Sequence, residues 1–467
     1  MTQSTRPPSG SAIGAREAST VAPSLWRNAP YLLLMTGKTA QLVGNGAALF
    51  AVPLIAFGIT QSVFLAGVIG AISEAGVLLA TLPAGVIADR IDRRRLLLVC
   101  SAVGFAIWIG LWIADASGAL TAPELAIALL VVSAVSAFYA PTEAAGIRYV
   151  VPAEQLGSAM AAMQGRGAVA SLVAGPLGGL LYGLSRALPF LASSLGYVVA
   201  GATALFVRRP LNDSHAGGHE QSSVAALADG FRFVWTVPII RTGIGVFALL
   251  NLAFGGMIVV INLHLVATHT APLLIALIDV VSGASMLVGA IASPALVKRF
   301  PSGPLAIACM VPSVVGGFAL ALATDYLGYV LLMVVMTVFI PPVNAGLLGY
   351  VSAITPQNVQ ARMNSVLSLS WNAVAPIAPL LGGILLSTVG VGFALAAFAG
   401  MLLVGFIAFA ANRSVRRVGV PGTWEADLVQ WPPARSDTGT GPGNCTNINT
   451  DTDTDTETDT AGAGQTS

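Results

Sequence analysis

Uncharged stretches long enough to cross a lipid bilayer dominate this sequence. Ten segments of 18 or more residues contain no Asp, Glu, Lys or Arg, and the longest, 363–412, has 50 residues. A spanning helix needs about 20 mostly apolar residues, because each residue adds 1.5 Å toward roughly 30 Å of hydrocarbon. Soluble domains carry about 25% charged residues, whereas this chain of 467 residues has 9%. We therefore predict an all-α membrane protein, since a β-barrel would show short alternating segments.

Glycine, proline and aspartate residues at the turns delimit twelve predicted transmembrane helices. The longest stretch holds two helices with a turn at Ser387–Gly392, and the stretch 39–73 contains a turn at Gly58–Ser62. The predicted helices cover residues 30–57, 63–88, 96–114, 124–146, 161–184, 188–207, 240–263, 271–297, 304–323, 327–350, 363–386 and 391–411.

Basic residues mark one face of the membrane. Of the 22 Lys and Arg residues, 19 fall in the two tails, in loops that follow even-numbered helices, or at the edge of such a loop, as Arg241 does. Only Arg186 falls in a loop of the opposite face, and Lys38 and Arg166 lie within helices or near their ends. Because Lys and Arg accumulate on the cytoplasmic side, we expect both termini in the cytoplasm and the protein in the cell (inner) membrane.

A polar stretch in the middle of the chain separates six helices from six helices. Pro152 and Pro356 follow the fourth and tenth helices, Gly179 and Gly383 lie in the fifth and eleventh, and both pairs are 204 residues apart. This repeat predicts two pseudo-symmetric halves that form the walls of a central cavity. The predicted regions are a cytoplasmic tail (1–29), the N-terminal half (30–207), a cytoplasmic loop (208–238), the C-terminal half (239–411) and a disordered cytoplasmic tail (412–467).

The densest polar run, 85–95, lies between the second and third helices. Its arginines anchor the cytoplasmic face, but Asp89 requires another explanation. A carboxylate at a helix end can pair with arginines and with a neighbouring helix N-terminus, which would latch one conformation. The run resembles the loop 2–3 motif of the major facilitator superfamily, with Asp92 where the motif has glycine, as in its drug and siderophore exporter branch. The motif positions are Gly85, Asp89, Arg90, Arg93 and Arg94.

The fifth helix contains a cluster of glycine and proline that resembles the antiporter motif Gly-Pro-x-x-Gly-Gly with one position missing. Its residues are Gly175, Pro176, Gly178 and Gly179. The resemblance implies export, whereas the simpler alternative is close packing of small residues. The passages 141–145, 151–156 and 164–166 are similar to macrolide-type and enterobactin-type exporters. Asn45 stands where that group has aspartate, so it cannot carry a proton.

Ionisable residues inside the bilayer are candidate sites, because each costs roughly 2.5–3.5 kcal/mol at mid-membrane on insertion scales. Lys38, Glu74 and Asp279 lie well inside predicted helices, and Glu143 and Arg166 lie toward helix ends. We expect Glu74 or Asp279 to couple proton entry to export. The alternative is a structural ion pair between Lys38 and Glu74 on adjacent helices.

These features predict a secondary active transporter that exports a small amphipathic molecule, with nutrient or metabolite uptake by proton symport as the alternative. We expect a monomer without metal or cofactor, and the net charge of +1 argues against a nucleic-acid partner. The sequence lacks the His-Glu-x-x-His and Gly-x-Ser-x-Gly motifs of enzymes and a complete phosphate-binding loop. The cavity is expected to be apolar and aromatic, and the residues expected either to line it or to face lipid are Phe50, Phe57, Trp108, Phe254 and Trp371.

Overall fold

A computed structural model describes residues 25–207, 232, 235–236 and 238–427. The remaining parts of the predicted tails and of the loop 208–238 lie outside the described residues. The main helices are, in chain order, Ala29–Thr60 (α1), Val63–Arg90 (α2), Arg93–Ala116 (α3), Ala122–Ala137 (α4), Tyr139–Val150 (α5), Leu156–Leu184 (α6), Leu188–Phe206 (α7), Pro238–Ala267 (α8), Pro272–Arg299 (α9), Ser302–Leu322 (α10), Tyr326–Thr337 (α11), Ile340–Ile354 (α12), Gln357–Val374 (α13) and Ile377–Ala411 (α14).

The described residues contain eleven stretches that are long and apolar enough to span a membrane. The last of these, Val366–Ala411, has 46 residues, and at 1.5 Å per residue it would extend about 69 Å, twice the thickness of the hydrocarbon core. Gly390 interrupts it with φ 80° and ψ 173°, a conformation open almost only to glycine. The break falls inside the predicted turn Ser387–Gly392, so the predicted all-α fold with twelve transmembrane helices is confirmed.

Two of the spans are interrupted in the middle, which was not predicted from the sequence. The fourth span consists of α4 and α5, and the tenth consists of α11 and α12. Phe138 and Phe339 occupy the equivalent positions just before α5 and α12. Prolines follow at Pro141 and Pro342, in the first turn of each new helix, where proline is tolerated because the first N–H groups have no intrahelical partner. The two interruptions therefore align residues of the fourth span with equivalent residues of the tenth span.

The first helix of each half packs against later helices of the same half. In the N-terminal half α1 contacts α6 and α7, and in the C-terminal half α8 contacts α14. The halves meet where α2 contacts α14 and where α6 contacts α9. We call the face with the start of α1 and the α2–α3 turn the N-terminal face, and the face with the turns 61–62 and 117–121 the far face. Gly67 against Pro379 and Gly179 against Pro272 bring the halves together toward the far face.

The core of the N-terminal half contains packed aromatic side chains. Trp108 is fully buried, and its ring centroid lies 5.7 Å from that of Phe190. The expectation that Trp108 lines a substrate cavity is therefore wrong, because α7 covers the face of α3 that carries it. The side chain of Trp371 lies outside the described residues.

The chain folds back onto the C-terminal half after α14. A short helix, Arg413–Arg416 (α15), precedes a 3-10 helical segment that ends at Asp427. The N–H groups of Ser302 and Gly303 donate to the carbonyls of Gly419 and Val418, both at 3.1 Å, and so cap the start of α10. The structure therefore departs from the predicted disordered tail over residues 413–427.

Candidate functional site

A cavity of about 480 Å³ lies between the two halves. Its walls are mainly apolar residues of α1, α2, α8 and the region where α13 meets α14. The polar side chains in its wall are Ser73, Glu74, Asn251, Asn262 and Asn372. This volume lies within the range of small-molecule binding sites, about 300–1,000 Å³. The cavity therefore offers an apolar site with a few polar groups and one carboxylate.

Glu74 and Asp279 are carboxylates at the boundary between the halves. Glu74 lies in the wall of the cavity. Asp279 lies on α9 opposite α6, since a Cβ atom placed on Gly175 would be 3.9 Å from its Oδ2 atom. Within the described part of the chain, neither carboxylate forms a hydrogen bond or an ion pair. The alternative pair of Lys38 with Glu74 is therefore not formed.

The glycines of the fifth-helix motif pack against both halves of the protein. A Cβ atom on Gly178 would lie 2.4 Å from the carbonyl oxygen of Ala47, so α6 and α1 touch through their backbones. A Cβ atom on Gly179 would lie 2.9 Å from the carbonyl oxygen of Pro272 in the other half. Pro176 lies inside the continuous helix α6. The motif thus joins α6 to its own half and to the opposite half.

Lys38 belongs to a polar network inside the N-terminal half. Its Nζ atom donates to Oε1 of Gln41 at 2.8 Å and lies 4.6 Å from the ring centroid of Tyr139. The amide of Gln41 donates to the hydroxyl of Tyr197 at 3.2 Å. The hydroxyls of Tyr139 and Ser101 lie 2.7 Å apart. These contacts connect α1, α3, α5 and α7.

Glu143 and Arg166 form a two-contact ion pair between α5 and α6. One guanidinium nitrogen bonds Oε1, and the other donates to Oε2 at 2.9 Å. The side chains are 4% and 10% exposed, so the pair is buried. The Sδ atom of Met35 lies 3.2 Å from the guanidinium of Arg166, which extends the contact to α1. The structure thus shows that two separate candidate residues, Glu143 and Arg166, are partners in one ion pair.

The described residues of the loop 2–3 motif have separate surroundings. Arg94 donates to the carbonyls of Ala204 and Leu205 at 3.2 and 2.6 Å, where α7 ends and its carbonyls need partners. The guanidinium of Arg93 lies 4.9 Å from the ring centroid of Tyr149. Gly85 lies within α2 with open space around it. The side chains of Asp89 and Arg90 lie outside the described residues, so the latch remains a prediction.

Arg186 and Asn45 have contrasting surroundings. Arg186, the one Lys or Arg among the described far-face loops, donates from Nε to Oδ1 of Asp115 at 2.7 Å. This hydrogen bond to a buried carboxylate raises the pKa of Arg186, and it explains a basic residue away from the other basic loops. Asn45 lies on α1 next to Gly46, which packs against Ala174 of α6. Its Oδ1 atom is buried and has no hydrogen-bond partner among the described residues.

Sequence reasoning missed the carboxamides of the cavity wall, Asn251, Asn262 and Asn372. Asparagine carries no charge, so it does not interrupt the charge-free stretches used to find helices. Asparagine within a predicted spanning helix could have indicated them, because a buried amide requires hydrogen-bond partners. The aromatic prediction is supported at Phe254, which lines a second cavity in the C-terminal half.

Substitution of Gly179 by alanine is expected to open the far-face contact between α6 and α9. The added Cβ would meet the backbone oxygen of Pro272 at 2.9 Å, so one backbone must move. Spin labels at Leu184→Cys and Leu273→Cys, both exposed, would report longer distances in Gly179→Ala than in the unsubstituted chain. Gly183→Ala is the control, because open space surrounds Gly183. Identical distance distributions in both variants would contradict this expectation.

Comparisons with known proteins agree with the fold. The sequence profile of the Major Facilitator Superfamily matches residues 34–339 and 255–440. The nucleoside transporter NupG (D323A mutant) is 12% identical, with a TM-score of 0.64 over 82% of this chain and 99% of its own. A bacterial homologue of the lysosomal transporter Spinster, inward-facing and unoccupied, is 14% identical, with a TM-score of 0.63 over 87% and 99%.

A third solved structure, a bacterial homologue of the iron transporter ferroportin in an inward-facing state, is 15% identical. Its TM-score is 0.62 over 83% of this chain and 99% of its own. At such low identity these likenesses concern the fold alone. A search of curated protein sequences found no match.

Proposed function

This chain belongs to the major facilitator superfamily, and we propose that it is a proton-coupled antiporter of the drug and siderophore exporter branch. It exports a small amphipathic molecule, such as a drug, an antibiotic or a siderophore, by alternating access. The observation that carries this proposal is the 480 Å³ cavity between the halves. One carboxylate, Glu74, lies in its wall, and another, Asp279, lies at the neighbouring contact between α6 and α9.

The N-terminal face is cytoplasmic in this proposal, and both termini lie in the cytoplasm of a cell membrane. The positions of 19 of the 22 basic residues support this orientation. The contacts of Gly67 and Gly179 then close the outer face. Opening them while the N-terminal face closes would carry the solute outward.

Asp279 is the preferred coupling residue. It lies where α6 and α9 must separate when the protein changes state, and no cation pairs with it within the described residues. A carboxyl that gains and loses a proton at this contact changes the charge carried where the two helices move apart, so protonation and conformation are linked. A membrane potential of 100 mV contributes about 2.3 kcal/mol per charge, enough for a roughly fifty-fold solute gradient.

The cavity wall favours an amphipathic solute over a sugar. A sugar needs many polar partners, whereas the described wall offers five polar side chains among twenty residues. The structurally similar proteins carry different names, a nucleoside transporter and a ferroportin homologue among them, so their likeness does not select the solute. The sequence resemblance to exporters and the fifth-helix motif support export.

A compound panel tests the direction of transport. The protein is expressed in a host without its own efflux pumps, and growth inhibition and retained compound are measured for amphipathic antibiotics, dyes and siderophores. We expect at least one compound to be retained less than in cells with an empty vector. Increased uptake of a nutrient without reduced retention of any compound would support the symport alternative instead.

Glu74→Gln tests whether the cavity carboxylate takes part. If Glu74 contacts a positively charged part of the solute, the variant should weaken export of cationic compounds and spare neutral ones. Dose–response curves for a cationic and a neutral compound that the protein exports would measure this difference. Equal export of both compounds by Glu74→Gln and by the unsubstituted protein would remove Glu74 from the site.

A further inference from the structure

A second cavity, of about 280 Å³, lies inside the C-terminal half. Its aromatic and sulfur-containing lining consists of Phe247, Phe254, Phe339, Met286 and Met310, and the carboxamides Asn251 and Asn344 also line it. Asn251 also belongs to the wall of the cavity between the halves. The two cavities therefore meet at this residue.

The pseudo-symmetry relates this second cavity to the polar network of the N-terminal half. Gly46 of α1 contacts Ala174, and Gly255 of α8 makes the equivalent contact with Ala378. Equivalent positions of α1 and α8 are therefore 209 residues apart. The starts of α3 and α10 are also 209 residues apart. Phe138 and Phe339, which precede α5 and α12, relate these helices by 201 residues.

With these offsets, each polar residue of the network has its equivalent position in the lining of the second cavity. The positions equivalent to Lys38, Gln41, Ser101, Tyr139 and Glu143 are Phe247, Leu250, Met310, Ile340 and Asn344, and all five line that cavity. The same region of the fold thus holds a charged network in one half and an apolar space in the other. Of the five polar positions, one keeps a polar side chain, and it is uncharged.

We propose that the cavity of the C-terminal half binds the flat, uncharged ring system of the transported molecule, an inference that rests on the proposed export function. No ionisable side chain occurs among its described lining residues, so a charged group would be buried there without a partner, which is unfavourable. Phenylalanine rings and methionine sulfur atoms make favourable contacts with aromatic rings. Asn251 and Asn344 can each donate and accept a hydrogen bond at the ring edge.

Three compounds with the same two-ring skeleton test this inference: neutral 2-naphthamide, anionic 2-naphthoate and cationic 2-naphthylmethylammonium. The reporter is Met286→Cys in a full-length chain whose Cys100, Cys309 and Cys445 are replaced by alanine. The rate of its reaction with N-ethylmaleimide is measured in proteoliposomes. At ten times its dissociation constant 2-naphthamide occupies about 90% of sites, so it should slow labelling roughly tenfold, whereas the two ions should slow it less than about twofold.

Two variants determine where protection arises. Val343→Trp places a large ring in the cavity and should abolish protection by 2-naphthamide, whereas Val335→Trp, on an exposed face of α11, should preserve it. If Val343→Trp does not fold, Asn251→Leu is used instead, with an expected loss of several-fold in the affinity for 2-naphthamide. Equal protection by all three compounds, stronger protection by either ion, or full protection in the cavity variants would overturn the inference.

Labelling and transport separate the two proposals. Protection does not require transport, so it reports binding alone, and export of radiolabelled 2-naphthamide from the same proteoliposomes is measured separately. Protection without export in any compound assay would leave the cavity assignment standing and would contradict the proposed export function. Export of 2-naphthamide without protection would support the proposed export function and would contradict the cavity assignment.

Discussion

Asp279→Asn should abolish proton-driven transport while leaving exchange of the solute across the membrane intact. The carboxamide has the size of the carboxyl group and fits opposite Gly175, but it cannot bind or release a proton. A pH gradient of one unit supplies about 1.4 kcal/mol per proton, or a tenfold accumulation. In proteoliposomes loaded with a compound identified by the panel, this tenfold effect should disappear in Asp279→Asn.

The matched control is Asp325→Asn. Asp325 accepts the N–H of Gly328 at 3.2 Å and caps α11, a role that asparagine also performs. This variant should therefore retain the response to the pH gradient. Normal coupling in Asp279→Asn together with lost coupling in Glu74→Gln would assign the proton to Glu74 instead, and normal coupling in both would show that neither carboxylate carries it.

Arg166→Ala should destabilise the protein by about 3–5 kcal/mol, because it leaves the carboxylate of Glu143 buried without its partner. The double variant Glu143→Gln/Arg166→Gln removes both charges and should recover most of the loss. Thermal unfolding of the purified protein in detergent, followed by tryptophan fluorescence, would measure both effects. The comparison isolates the cost of an unpaired buried charge from the loss of side-chain packing.

Arg148→Ala is the control for this pair. Arg148 lies on the same helix as Glu143 but on its exposed side, where a substitution changes stability by about 0.5 kcal/mol or less. If Arg166→Ala melts like Arg148→Ala, the ion pair contributes little and Glu143 has another stabilising partner. If the double variant is as unstable as the single one, packing accounts for the loss rather than charge.

The number of helices was predictable because the hydrocarbon core of a membrane allows few backbone conformations. A backbone in hydrocarbon must bond to itself, so uncharged stretches of sufficient length become helices. The turn near Gly390 follows from the same length argument. Helix ends were less predictable: the fifth span begins at Leu156 and not at 161, because polar residues near the membrane surface can continue a helix.

The interruptions at Phe138 and Phe339 were missed because hydropathy measures burial in lipid and not the course of the backbone. The Phe-x-x-Pro pattern in both halves carried the signal. The sequence also did not predict which polar and charged side chains contact each other. Lys38 was considered as a partner of Glu74, but it bonds Gln41 and lies over the ring of Tyr139, since the rotation of α1 about its axis is set by its neighbours.

The sequence by itself determined that this chain spans a membrane twelve times in two related halves, because charge is excluded from hydrocarbon wherever it occurs. It also identified Glu143, Arg166 and Asp279 as ionisable residues within predicted helices and therefore as candidate functional residues. Only the tertiary structure decided that the first two neutralise each other while Asp279 stands at the contact between the halves. Coulomb attraction and hydrogen bonding act over a few ångströms, and that proximity arises from helix packing rather than from position along the chain.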